Sequence, residues 1–117
     1  MSSPKLTNYL RTNRKRLDLT QEEVAFLLGF NGEDKGIKVC RDENFAREPS
    51  LRMALAYEAI YGQPVRELFA GLFEEIEREV AKRAKVLAYR KDRKPNSKRH
   101  QTLTNLVSKS SLNSSQT

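Results

Sequence analysis

Apolar side chains recur every three or four positions through residues 5–90, which is the spacing of amphipathic helices. The spacing predicts a series of helices over about residues 6–17, 21–28, 35–44, 52–61, 65–69 and 72–90. The alternating pattern of a half-buried strand is not found, and neither is an internal repeat. We therefore expect an all-α protein.

Residues that start and stop helices fall between these segments. Thr20 and Glu23 have the spacing of a capping box at the start of the second helix, and Gly29 is a suitable stop after it. Ser50 can cap the fourth helix, and Gly62 can end it. These local signals agree with the boundaries that the apolar spacing predicts.

Residues 91–117 differ in composition from the rest of the chain. They are rich in Ser, Asn, Lys and Thr, and Pro95 opposes the continuation of a helix. So few apolar residues cannot offset the entropy of ordering this stretch. We therefore predict a helical domain over residues 1–70, an extra C-terminal helix over 71–90 and a disordered basic tail over 91–117.

Charge narrows the range of partners. The 117 residues include 22 Lys+Arg and 15 Asp+Glu, a formal net charge of +7, which favours a polyanion such as nucleic acid or an acidic membrane surface.

The single cysteine, Cys40, excludes an intrachain disulfide. No stretch approaches the roughly 18 apolar residues of a membrane span, and the N-terminus has no apolar signal-peptide core. We expect a soluble, cytoplasmic protein.

Catalytic patterns are missing from the sequence. It contains no metal-ligand cluster, no Gly-rich phosphate loop and no paired nucleophile and base, and the lone His100 lies in the polar tail. We therefore expect no enzymatic activity, no metal and no cofactor.

Two runs of residues carry a family resemblance. The first is Leu19-Thr20-Gln21-Glu22-Glu23-Val24-Ala25, and the second includes Val39, Glu43, Arg47, Pro49 and Ser50. Together they resemble the Xre family, the lambda-repressor/Cro-like helix-turn-helix regulators, over about residues 6–69. Two features depart from the family pattern: the connection between the second and third helices is longer, and Cys40 and Phe45 stand where the family often has Ser and Gly.

The resemblance implies a five-helix DNA-binding domain and a sequence-specific transcriptional regulator, with repression as the expected action. In this fold the third helix enters the major groove. The residues expected to contact bases lie three apart, and they are Lys35, Lys38 and Arg41. The residues expected to contact phosphates are Gln21, Asn44 and Arg47. Gln21 could instead be an ordinary exposed helix residue.

The family also pairs an arginine of the first helix with the glutamate that ends the third. Arg14 and Glu43 are the matching positions, so the resemblance implies a salt bridge that joins these helices. The alternative is that Arg14 contacts phosphate.

The last predicted helix carries an apolar stripe at coiled-coil spacing. Its members are Phe73, Ile76, Val80, Ala84 and Leu87. The stripe could fold back onto the preceding helices, but we favour a homodimer built on Phe73, Ile76, Val80 and Leu87. A third possibility is an antitoxin-like module that binds a protein partner through this helix and binds DNA only secondarily.

Residues 82–99 hold nine cations and one carboxylate. This stretch could follow the DNA backbone, or it could simply keep the protein soluble. An RNA-binding protein is a further alternative, although it would need stacking aromatics on a basic face, and Tyr89 is the one suitable residue.

Overall fold

The computed structural model describes residues 5–90 and 97–115, with side chains described as far as residue 109. Within those residues it is all-α. The helices are α1 (Leu10–Arg16), α2 (Gln21–Leu27), α3 (Ile37–Glu43), α4 (Leu51–Tyr61), α5 (Val65–Leu68), α6 (Ala70–Tyr89) and α7 (Lys98–Ser115). Two compact units divide the chain: one is Lys5–Leu72, and the other begins at Phe73, within α6.

Side-chain caps define the starts of α2 and α4. The Thr20 hydroxyl accepts a hydrogen bond from the Glu23 N–H, and the Glu23 carboxylate accepts one from the Thr20 N–H, so the predicted capping box is confirmed. The Ser50 hydroxyl likewise accepts from the Met53 N–H at 3.2 Å. These bonds satisfy backbone donors that would otherwise have no partner within the helix.

The core of the first unit is built from one face of each of its helices. The residues that are fully buried or nearly so include Leu10, Val24, Val39, Tyr57 and Leu68. Burying these side chains supplies most of the driving force that holds such short helices together, because isolated helices of this length are unstable in water.

The first helix begins at Leu10, later than the apolar spacing predicted. The residues before it are not helical and bond to the end of the unit: the Tyr9 N–H donates to the Leu68 carbonyl, and the Gly71 N–H donates to the Leu6 carbonyl. These long-range bonds replace the helical ones. A Cβ at Gly71 would overlap the Leu6 carbonyl, so only glycine allows this approach.

The second unit consists of α6 from Phe73 onward and α7. The prediction of a disordered tail over 91–117 is wrong for residues 98–115, which form a helix; residues 91–96 and 116–117 lie outside the described residues. The Ser97 hydroxyl accepts from the His100 N–H, and Leu103 is only 8% exposed. Residues of both helices line a common groove, so α6 supplies apolar cover that the composition of the tail could not reveal. Nowhere in the described residues is a helix long and apolar enough to cross a membrane.

Candidate nucleic-acid interface

Helices α2 and α3 approach each other closely where α3 begins. Gly36 precedes α3 in a left-handed conformation (φ 84°), and a Cβ there would lie 2.9 Å from backbone and side-chain atoms of Gln21. Both the conformation and the contact therefore require glycine. The close approach brings the first turn of α2 beside the start of α3.

One face of α3 is buried and the opposite face is open. Val39, Asp42 and Glu43 are buried, whereas Lys38 and Arg41 are exposed and Ile37 is 52% exposed. Because the buried residues anchor the helix, its cationic face is held toward solvent.

The prediction that Lys35 shares a helical face with Lys38 and Arg41 is wrong. Lys35 lies before α3 with a φ of 51°, in the left-handed region, and Gly36 follows it in the same region. Two successive left-handed residues cannot continue a right-handed helix. Lys35 is exposed in the connecting turn, and the face of α3 itself carries Lys38 and Arg41.

Phe30, in the connection between α2 and α3, lies beneath two cations. Its partly buried ring packs against the core, and the Lys38 Nζ lies 4.5 Å from the ring centroid. The guanidinium carbon of Arg47 lies 5.8 Å from the same centroid. These distances are those of cation–π interactions, which hold both charges near the start and the exit of α3.

The predicted salt bridge between Arg14 and Glu43 is present. The Arg14 Nε donates to Glu43 Oε2 at 2.6 Å, and Nη2 donates to Oε1 at 3.1 Å. The two side chains are 11% and 2% exposed, and Arg14 Nη1 also donates to the Leu19 carbonyl. The hydrogen bond to Glu43 raises the pKa of the Arg14 guanidinium, because it stabilises the charged form. The pair therefore connects α1, the α1–α2 turn and α3.

Gln21 belongs to the same cluster. Its side-chain Nε2 donates to Glu43 Oε1 at 3.1 Å, which uses one of the two amide hydrogens. The residues around it, Arg11, Thr20 and Asn44 among them, line an open polar groove. No local pattern of the sequence predicted the bond from Gln21 to Glu43.

Asp42 is a second buried carboxylate, which was not among the predicted site residues. It is fully buried; its Oδ1 accepts from the Arg47 Nε at 2.6 Å, and its Oδ2 accepts from the Tyr57 hydroxyl at 2.7 Å. The Asn8 amide donates to the Asp42 carbonyl. One signal was available: Asp42 lies three residues after Val39, on the face of α3 predicted to be buried.

Arg47, which was predicted to contact phosphate, donates from its Nε to the buried carboxylate of Asp42. Its side chain remains 32% exposed. Asn44, the C-cap that follows α3, is exposed, and its amide lies 3.4 Å from the Cys40 Sγ. Cys40 therefore contacts its own helix.

Two buried tyrosines of α4 pack against each other, and one of them bonds to Asp42. The rings of Tyr57 and Tyr61 stack with centroids 5.7 Å apart. Burial raises the pKa of both phenols, and the bond to Asp42 raises that of Tyr57 further. The buried Tyr61 hydroxyl has no hydrogen-bond partner in the described part of the chain.

Among the described residues, no group of three or more His, Cys, Asp and Glu side chains could hold a metal ion.

Comparisons with protein-family models, with curated proteins and with solved structures found no significant match.

Proposed function

We propose that this protein is a helix-turn-helix transcriptional regulator of the Xre type, with a five-helix lambda-repressor-like domain. It binds specific sites in double-stranded DNA in the cytoplasm and represses transcription there. One observation carries the proposal: the α2–α3 pair presents an exposed cationic face of α3 while the other face of that helix is anchored in the core. A helix held in this way can enter the major groove, which is wide enough to admit one.

Base recognition falls to the exposed face of α3. Arg41 and Lys38 can donate to guanine O6 and N7, and each good pair is worth about 1–3 kcal/mol of discrimination. Ile37 can contact a thymine methyl group. Lys35, exposed in the turn before α3, can contact the edge of the same site.

Phosphate contacts fix the orientation of the helix on the duplex. The second amide hydrogen of Gln21 is available for a phosphate oxygen, since Glu43 accepts the other. The Asn44 amide and the partly exposed guanidinium of Arg47, both just after α3, can serve in the same way. The basic stretch of residues 82–99 adds contacts that do not depend on sequence.

The decisive experiment is selection of bound duplexes from a random pool with the full-length protein. We expect an enriched consensus, and binding to it in preference to scrambled duplex. Arg41→Ala should reduce this preference by about tenfold or more, because it removes a base contact. Lys15→Ala removes one positive charge from an exposed position on α1 and serves as the control; it should leave the preference unchanged.

Two outcomes would overturn the proposal. A pool without any consensus would contradict sequence-specific recognition. Structured RNA that outcompetes the selected duplex at fixed salt would favour the RNA-binding alternative. Repression itself is tested with a reporter whose promoter overlaps the selected site: loss of expression is expected with the wild-type protein and its recovery with Arg41→Ala.

A protein-interaction module is the second candidate, because α6 exposes Ile76, Val80 and Leu87. A stoichiometric partner that co-purifies with the chain and abolishes binding to the selected duplex would favour this candidate.

A further inference from the structure

We infer that α6 pairs with α6 of a second copy of this chain, and that the two helices run antiparallel. The inference concerns self-association without DNA, so it goes beyond the proposed function and does not depend on it. It rests on an exposed apolar stripe and on the distribution of charge along the same helix.

The stripe has the spacing of a helix–helix seam. Ile76, Val80 and Leu87 follow one another at intervals of four and seven residues and are 46%, 37% and 38% exposed. Ala81 and Ala84, beside this stripe, are buried. The stripe is therefore a separate apolar surface, which none of the described residues covers fully.

Charge is segregated along α6. Residues 74–79 contain four glutamates and Arg78, a net charge of −3. Residues 82–90 contain Lys82, Arg83, Lys85 and Arg90 and no carboxylate, a net charge of +4. The change of sign falls near the middle of the apolar stripe.

This segregation selects the orientation of the pair. In a parallel pair the acidic halves would meet each other, and so would the basic halves. In an antiparallel pair each acidic half meets a basic half, and the helix dipoles also oppose each other favourably. Charges that flank an apolar seam determine orientation in this way.

Four charged residues lie along one flank of the stripe. At about 100° per residue, Glu75 and Glu79 lie on that flank in the acidic half, and Arg83 and Arg90 lie on it in the basic half. Glu79 and Arg83 are one turn apart, and their charged atoms are 3.9 Å from each other. In an antiparallel pair the two glutamates of one copy face the two arginines of the other.

Sedimentation equilibrium of the full-length protein without DNA tests the inference. We expect a dimer at high micromolar concentration. Its dissociation constant should rise as salt increases from about 0.1 M to about 1 M, because the Debye length falls from about 10 Å to about 3 Å. A wild-type protein that stays monomeric would overturn the inference, and so would a dimer that becomes tighter in high salt.

Charge-reversal variants test the orientation. Glu75→Lys with Glu79→Lys makes both halves basic on this flank, and Arg83→Glu with Arg90→Glu makes both acidic. Each should weaken the antiparallel dimer by about tenfold, since several flanking charge pairs become repulsive. All four changes in one chain should restore it. In a parallel pair neither double variant would weaken the dimer.

The control is Arg78→Glu, which reverses an exposed charge on the side of α6 opposite the stripe and should change the dissociation constant little. Circular dichroism verifies that each variant is helical. If a variant fails to fold, the salt dependence of the wild-type dimer still tests whether the flanking charges attract each other, as the antiparallel pair requires. If the four-fold variant is folded and remains monomeric, the antiparallel arrangement is wrong. Because DNA is absent, each result is independent of the test of DNA binding.

Discussion

The Arg14 guanidinium donates two hydrogen bonds to the Glu43 carboxylate, from Nε at 2.6 Å and from Nη2 at 3.1 Å, although the two residues are 29 positions apart in the sequence. The bidentate geometry matches the planar guanidinium to both carboxylate oxygens. Because Glu43 ends α3, this pair determines how the exposed face of α3 is presented. Substitution of Glu43 should therefore mainly reduce the stability of the fold.

Glu43→Ala should lower the free energy of unfolding by about 3 kcal/mol, because it strands the nearly buried charge of Arg14. The melting temperature, followed by circular dichroism, should fall by roughly 10 °C or more. Glu48→Ala removes an exposed carboxylate and should change stability by less than about 0.5 kcal/mol. An unchanged melting temperature for Glu43→Ala would show that the pair has no structural role.

The two stacked tyrosines should respond in opposite ways to loss of their hydroxyl groups. Tyr57→Phe leaves the buried Oδ2 of Asp42 without its donor and should cost about 1–3 kcal/mol. Tyr61→Phe removes a buried hydroxyl that has no partner in the described part of the chain, so it should be neutral or stabilising. Chemical denaturation of both variants provides the comparison, and equal destabilisation would contradict it.

Alkaline pH should destabilise the fold through the same tyrosines. Their pKa values are raised in the folded state, so the unfolded chain loses these protons first, from about pH 10 upward. The stabilising contribution is complete below that pH and declines above it, by about 1.4 kcal/mol per pH unit for each tyrosine. Denaturation curves at several alkaline pH values measure this slope, and Tyr61→Phe should make it shallower. A slope that the substitution leaves unaltered would rule out this origin.

Gly36→Ala should destabilise the domain for two reasons, strain at positive φ and overlap with Gln21. Gly62 has a similar φ of 71° with open space around it, so Gly62→Ala measures the conformational part alone, about 1 kcal/mol. Gly32 has neither constraint, and Gly32→Ala should be neutral. Thermal denaturation of the three variants should rank them in that order. If Gly36→Ala costs no more than Gly62→Ala, the close approach of α2 and α3 carries no energetic weight.

Phe30 should contribute to DNA binding through Lys38. Phe30→Leu preserves an apolar side chain against the core but removes the ring beneath the Lys38 Nζ. In a double-mutant cycle with Lys38→Ala, measured on the selected duplex, the coupling should be about 0.5–1 kcal/mol. The same cycle with Lys15→Ala should show none. Additive effects of Phe30→Leu and Lys38→Ala would mean that the ring does not position this cation.

Much of the helical fold could be predicted because its signals are local. The caps at Thr20 and Ser50 act over three residues, and the apolar period places Val24 and Val39 on buried faces. The Arg14–Glu43 pair came from a family resemblance, since no local pattern joins positions so far apart. The prediction for Lys35 was wrong because Lys35 and Gly36 both have a positive φ. The helix α3 therefore begins only at Ile37, and Lys35 lies outside it.

By itself, the sequence determined the helical period, the capped helix starts and the cationic face of α3, because each depends on residues within one or two turns of each other. The tertiary structure alone decided that Asp42 is buried between Arg47 and Tyr57, that Leu6 and Tyr9 bond to residues near the end of the first unit, and that residues 98–115 are helical. The reason is that desolvation and long-range hydrogen bonding depend on which groups meet in space, and the spacing along one helix does not contain that information.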